Sequence, residues 1–489
     1  MAHAYGRQIS VEAFPSVTLN NLPNELLLLI FQDLDPSSLI SVSCLCRRIN
    51  AVATTYLLFP KTDCNDALAQ LRVNSLSFGL SNGLSFNSVA GVRLSFSMKQ
   101  PIEFFSCHFS AADCIREMEQ VERLFETGRM IECVDLRFPR GSLLFLEPEP
   151  ETSMTECELN SPAVVRLFQQ LHHTKCRSFG AYDVLPVEYD DSARFCGPVV
   201  STLKYISISR TPFLLTDFFC EWTISTMNSS PLRDVTLEDV DIQQLLPLLS
   251  LPFLQKLDIR CLDLPLSDIT PFLARHPTIE SLMLRILFDD TSLAPNSLPQ
   301  LRDFSSTAEC LSQLLSSPGS MPQLQNVTCY ISTSFLSPSP LPTDAIQTLF
   351  RHIALHSTIT ILDIPLSDLN ASEEWLSVDP RSEHLLTEVN SLYVTLSMNA
   401  RDESVVRERI IESIALFPKL ETLTLFGWAQ CEEFASKDLF GPYGYLRIYH
   451  LGYRVSMDYV YGGATSALST TSIYGQHNIT MMYRLGTCD

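Results

Sequence analysis

The chain has 489 residues, a formal net charge of −21, and 46% hydrophobic against 18% charged residues. That length exceeds one compact core, so two or more domains or an extended repeat array are expected, and the apolar content excludes a wholly disordered chain. The acidic balance, with no basic run longer than pairs such as Arg47-Arg48, argues against nucleic-acid partners and anionic membrane surfaces.

The 15 cysteines are odd in number, scattered, and never spaced as C-x-x-C, so neither a disulfide framework nor a zinc site is expected. Several (Cys133, Cys261, Cys329) sit inside apolar stretches, where a thiol behaves as a small hydrophobe. The opening MAHAYGRQISVEAF lacks the apolar core of a secretory leader, and no run of about 20 apolar residues could span a bilayer. A reducing compartment, cytoplasm and/or nucleus, is the expectation.

Residues 1–18 read as a tail. Residues 19–34, LNNLPNELLLLIFQDL, predict a helix with Pro23 in its first turn and Glu25 near its positive end. Every residue from Leu26 to Phe31 is apolar, so one face can pack within its own domain and the other needs a second cover. Asp35-Pro36 repeats the start signal, and a second helix carries Leu39, Ile40, Val42 and Leu45 toward Cys46-Arg47-Arg48. A third runs through Ile49, Val52, Ala53, Tyr56 and Leu57. Three short helices in about forty residues make a small core, which implies a partner.

The string LPNELLLLIFQDLDPSSLISVSCLCRRIN resembles the F-box motif, in which Leu-Pro-x-Glu-Leu/Ile is followed by Ile-Phe-x-x-Leu, an acid-Pro pair, Leu and a Cys-Arg close. The resemblance covers residues 19–60. Many family members close with a Trp after the third helix, where Tyr56 and Phe59 stand here. The resemblance implies a Skp-type adaptor as partner and, through it, a cullin. It implies that Leu22, Pro23, Glu25, Leu26, Leu27, Ile30, Phe31, Leu34, Leu39 and Cys46 form or border the adaptor contact.

Beyond it, the pattern apolar-x-x-apolar-x-apolar recurs, usually two residues after Pro. Copies begin PFLQKLDI (Pro252), PTIESLML (Pro277), PQLRDFSS (Pro299), PQLQNVTC (Pro322) and PKLETLTL (Pro418), with a shorter PLRDVTL at Pro231. The first apolar positions Leu232, Leu254, Ile279, Leu301 and Leu324 lie 22, 25, 22 and 23 residues apart, within the leucine-rich-repeat range of about 20–29. Weaker copies are Ile131-Val134-Leu136, Cys176-Phe179-Ala181 and Leu203-Ile206-Ile208 upstream, then Ile359-Leu362-Ile364, Val389-Leu392-Val394 and Leu420-Leu423-Leu425 downstream. Opening strands are expected within 71–97.

Each triplet places alternate side chains inside a short strand, with helices expected over 241–250, 268–275, 344–355 and 404–417. The stretch resembles the degenerate leucine-rich repeats often found behind an F-box, without their Asn or Cys ladder after the strand. The expected fold is therefore α/β: a three-helix F-box at 19–60, then an irregular leucine-rich-repeat solenoid over 61–458 with parallel strands on its concave face, and a cap or tail at 459–489. Residues 147–158, with five Glu and two Pro, and 337–342 read as loops.

No G-x-S-x-G, G-x-x-x-x-G-K or H-E-x-x-H occurs, and His172-His173 with Cys176 has no second pair to complete a metal site. Neither catalysis nor a cofactor is expected. The expected function is a substrate-recognition adaptor of an SCF-type ubiquitin ligase; the alternative is a binding scaffold not coupled to degradation. Asp258, Arg260, Glu280 and Arg285, lying between the apolar positions, are the candidate contacts to a target protein.

Overall fold

A computed structural model of the protein describes residues 18–58, 75–78, 102–110, 114–128, 130–138, 162–182, 194–287, 289, 291–317, 319–330, 343–366, 386–396, 416–426 and 447–451. The expected tails apart from Thr18, the acidic segment 147–158 and residues 337–342 fall outside these. Two compact units divide the chain: Met1–Cys176 with Pro186–Glu188, and Arg177–Leu185 with Tyr189–Asp489.

The first unit opens with helices α1 (Asn24–Gln32), α2 (Pro36–Ser43) and α3 (Arg47–Leu58). Their shared core holds Leu27, Leu28, Phe31, Leu39, Ile49, Val52 and Ala53. Strands β1 (Ser75–Phe78), β2 (Ile102–His108) and β3 (Ile131–Arg137) follow, paired in parallel. Helix α4 (Cys114–Phe125) packs on α5 (Pro162–Leu171), and Arg166 Nε donates to Glu122 Oε1 at 2.9 Å across that contact.

The second unit contains β4 (Ser178–Tyr182), β5 (Tyr205–Ser209), α6 (Asp217–Ser229), β6 (Asp234–Glu238), β7 (Lys256–Pro265), α7 (Leu266–Arg275) and β8 (Ser281–Leu287). Then come β9 (Asp303–Thr307), α8 (Ala308–Leu315), β10 (Asn326–Tyr330), α9 (Thr343–Ala354), β11 (Ile361–Leu366), β12 (Ser391–Leu396), β13 (Thr422–Phe426) and β14 (Arg447–Leu451). From β4 to β14 each strand pairs in parallel with the next in sequence.

The recurring triplets set the register. Val235, Leu257, Leu282, Phe304, Val327, Leu362, Leu392 and Leu423 form one buried row across successive strands. The first residue of each triplet closes the turn that enters its strand: Leu254, Ile279, Leu301, Leu324, Ile359, Val389 and Leu420 each donate N–H to the carbonyl three residues back.

In place of a side-chain ladder the structure has a main-chain one. The carbonyls of Arg177, Lys204, Arg233, Gln255, Glu280, Arg302, Gln325, Thr360 and Asn390 each accept from two consecutive N–H groups of the next copy, at 2.7–3.1 Å. That accounts for strand regularity without a fixed Asn or Cys, because backbone donors and acceptors are supplied by every non-proline residue.

Helices α7 and α9 fall where the pattern placed them, within two residues. Residues 241–250 do not form the expected helix: Gln243 N–H bonds Asp241 Oδ1 at 3.2 Å in a tight turn, and only a 3-10 turn, Leu246–Leu248, follows. Pro247 withholds the amide that a continuing helix needs. Helices α4, α5, α6 and α8 were not anticipated. The expected helix at 404–417 lies outside the described residues except for 416 and 417.

Candidate functional site

The N-terminal helices present the first candidate surface. Helix α1 begins one residue after Pro23, which sits at the cap and accepts Leu27 N–H at 3.1 Å, so the missing proline N–H leaves nothing unpaired; Glu25 lies in the first turn. Asp35 caps α2, accepting Ser38 N–H at 3.0 Å and the Ser38 hydroxyl at 2.6 Å. Arg48 on α3 reaches back to α1, donating to Asn24 Oδ1 from Nε at 3.2 Å and from Nη2 at 2.9 Å, and to the Leu22 carbonyl. Asn50 Nδ2 donates to the Ser43 carbonyl at 3.0 Å, tying α3 to the end of α2.

These bonds fix how α1 divides its apolar run. Leu27, Leu28 and Phe31 point inward, whereas Leu26, Leu29 and Ile30 are 45%, 57% and 41% exposed. The outward three fall at i, i+3 and i+4, a single helical stripe. Of the ten residues tied to adaptor contact, Leu26 and Ile30 stand on this stripe, and Pro23 and Glu25 are exposed beside it. Leu22, Leu34 and Cys46 are half-buried against the core. Leu27, Phe31 and Leu39 fill the core itself, so they shape the surface from beneath. Leu29 and Leu45, the latter 65% exposed, are further outward-facing apolar residues that the motif did not single out.

The second candidate surface is the solvent side of β6–β12, where residues alternate with the buried rows. Asp258 and Arg260 share it and pair, Arg260 Nη2 to Asp258 Oδ2 at 2.7 Å and Nε to Oδ1 at 3.0 Å. Arg285 stands opposite Arg260 in register. Glu280 is apart from them: it precedes β8, supplies a carbonyl to the main-chain ladder, and accepts from Gln255 Nε2 at 3.4 Å. Burial raises the Asp258 carboxyl above its ordinary range, opposed by Arg260, and burial likewise raises Asp234.

One residue the sequence reading passed over is prominent here. Asp363 on β11 lies between Thr328 of β10 and Tyr393 of β12, and burial pushes its carboxyl up to about 6. It occupies the same place in its triplet as Asp258, so its position was readable; its burial was not.

Among the described residues no group of three or more His, Cys, Asp or Glu could hold a metal ion, and no helix is long and apolar enough to cross a membrane. His172 and His173 lie with ring centroids 3.8 Å apart, and His172 Nδ1 is 2.6 Å from the Gln169 carbonyl.

Residues 19–62 match the F-box-like family, which extends two residues past the boundary read from the motif. Those residues form an F-box-like domain, and the described part of it is the three-helix core. No curated protein matches the chain.

Proposed function

Starting from the F-box-like domain, we propose that the protein is a substrate-recognition adaptor of an SCF-type cullin–RING ubiquitin ligase. The exposed Leu26–Leu29–Ile30 stripe carries this reading. An apolar stripe held at fixed pitch by the Arg48 and Asn50 bonds suits a partner that lays its own apolar groove over it, and F-box domains typically bind Skp-type adaptors.

The remaining strands support the reading of an irregular leucine-rich-repeat solenoid, with the solvent side of its strands lining a concave target-binding face. Parallel strands, each paired with the next in sequence, are the arrangement such a solenoid requires. In this role the chain carries out no bond chemistry. It acts in the cytoplasm, the nucleus or both, holding a target near the ubiquitin-loaded enzyme and raising its effective concentration there.

The test is capture of the full chain by a purified Skp-type adaptor, beside a Leu26→Asp, Ile30→Asp double variant. Capture that the variant loses, with its thermal melt unchanged, is the expected result. Wild-type chain that stays unbound at micromolar adaptor overturns the assignment.

A further inference from the structure

We propose that the solvent side of β10–β12 is a docking site for a basic side chain, Lys or Arg, of a partner protein, with Asp363 as its carboxylate and Tyr330 and Tyr393 flanking it. The proposal rests on the reading of the strand surface as the target-binding face and names the chemistry that this part of it recognises.

The geometry begins with register. Thr328, Asp363 and Tyr393 stand opposite one another on three adjacent strands, and Tyr330 is two residues beyond Thr328 on the same side. Strands about 4.8 Å apart put these side chains within reach of one ligand group. Beyond the effect of burial, the charge of Asp363 raises the Tyr330 phenol, as does Asp258, with Arg260 opposing, which places the phenol near the Asp363 carboxylate. Asp363 is half-buried, and no hydrogen bond or ion pair of its carboxylate is present among the described residues. The acidic residue at the same place on β7, Asp258, has Arg260 two residues along; the residue two along from Asp363 is Pro365, which has no charge to give.

The described solvent side of β10–β13 offers hydroxyls but no cation. Asn326, beside β11 on β10, gives its amide hydrogen to Asp303, and its own Oδ1 is buried with no donor. Among the described residues on this side of β10–β13, which are Asn326, Thr328, Tyr330, Ile361, Asp363, Ser391, Tyr393, Thr422 and the buried Thr424, Asp363 holds the only formal charge at neutral pH. A half-buried carboxylate among phenol rings is stabilised by an incoming cation, through a charge-assisted hydrogen bond and the attraction of ring faces for positive charge. An anion or an apolar group would leave it uncompensated. The chain's net charge of −21 draws the same class of partner toward it.

The experiment measures fluorescence anisotropy of the labelled peptides GKGKGKG and GRGRGRG on the full chain, beside the lysine peptide with every side chain acetylated. One or both basic peptides bind and the acetylated one does not. Asp363→Asn weakens the binding about tenfold, the scale of one charge-assisted contact. Glu221→Gln, a change of equal charge on α6, leaves it intact. Wild-type affinity also falls as pH drops through about 6, where Asp363 takes up its proton, and this readout needs no variant to fold. Equal weakening by Glu221→Gln and Asp363→Asn overturns the proposal, because net charge alone then explains binding. So does unchanged affinity for the acetylated peptide, or no binding by any of the three. Adaptor capture by the same preparations reports separately on the ligase reading.

Discussion

Seven strands of the second unit, β7 to β13, are each entered through a turn whose first residue is buried: Leu251, His276, Leu298, Met321, His356, Leu386 and Phe417. The two histidines are 3% and 5% exposed. His276 Nδ1 lies 2.7 Å from the Phe272 carbonyl and so carries the proton, while Nε2 accepts Leu251 N–H at 3.0 Å. His356 Nε2 lies 2.9 Å from the Leu315 carbonyl. Burial lowers both pKa values, with Arg275 pushing His276 the same way and His352 pushing His356. A folded-state pKa below the unfolded one means full stability above about pH 6.5, lost progressively as pH falls toward the folded value. Thermal melts at about pH 7.5 and 5.5 should show this decline, and a His276→Leu, His356→Leu variant should show less of it.

Asp289 is the second residue with a measurable consequence. Helix α7 has Pro265 at its cap, which offers no side-chain acceptor, and Asp289 serves instead. Its Oδ2 accepts Ser267 N–H at 2.8 Å and its Oδ1 accepts Thr291 N–H at 2.9 Å. Burial alone would raise its carboxyl, but the bonds from Thr291 and Ser267 together outweigh it and hold the carboxyl down at about 2. That contribution is present above about pH 3.9 and fades as pH falls through about 2. Asp289→Ala should cost about 0.5–2 kcal/mol in a urea melt near neutral pH, the cost of a lost helix cap.

At the scale of elements, α1 separates two kinds of substitution that its sequence makes look alike. Leu27→Ala or Phe31→Ala opens a cavity in the small helical core and should cost about 2–5 kcal/mol, removing adaptor capture by unfolding the domain. Leu26→Asp with Ile30→Asp adds charge to an exposed stripe and should leave the melt within about 0.5 kcal/mol while removing capture. Circular dichroism beside the capture assay distinguishes the two outcomes.

The strands were legible because period-two alternation survives in every triplet, even where Ser306 or Ala181 replaces a larger residue. Ser306 remains buried by giving its hydroxyl to the Leu284 carbonyl at 2.6 Å. Less legible was which of six consecutive apolar residues in α1 turn inward, since that is decided by α2 and α3 packing on one side. The turn at 241–250 was misread because Leu245, Leu246 and Leu249 mimic a helical stripe and are all buried, although Pro247 interrupts it. Asp363 was hidden for a different reason: the residues facing it, Thr328 and Tyr393, lie 35 and 30 positions away in sequence.

At the scale of the molecule, the described helical core is built from residues between Leu22 and Tyr56, and the long buried row of the second unit from residues between Val235 and Leu423. Leu257→Ala, in the middle of the long buried row, should therefore lower the denaturation midpoint of the second unit, by about 2–5 kcal/mol of local stability, and leave adaptor capture intact. A calorimetric scan of that variant, set beside the capture assay, checks both halves of the statement. Because each described strand pairs with its neighbours in sequence, unfolding of this unit should be broader than a single all-or-none transition.

The main-chain ladder bears on how such a surface changes over generations. Nine carbonyls and the paired amides they receive fix the spacing between copies, and the side chains at those positions range over Arg, Lys, Gln, Glu, Thr and Asn. Stacking is thus indifferent to what the solvent-side columns contain. Mutation can rewrite those columns one residue at a time, trading one recognised partner for another, while the inward rows, the buried turns and the helix caps keep the scaffold.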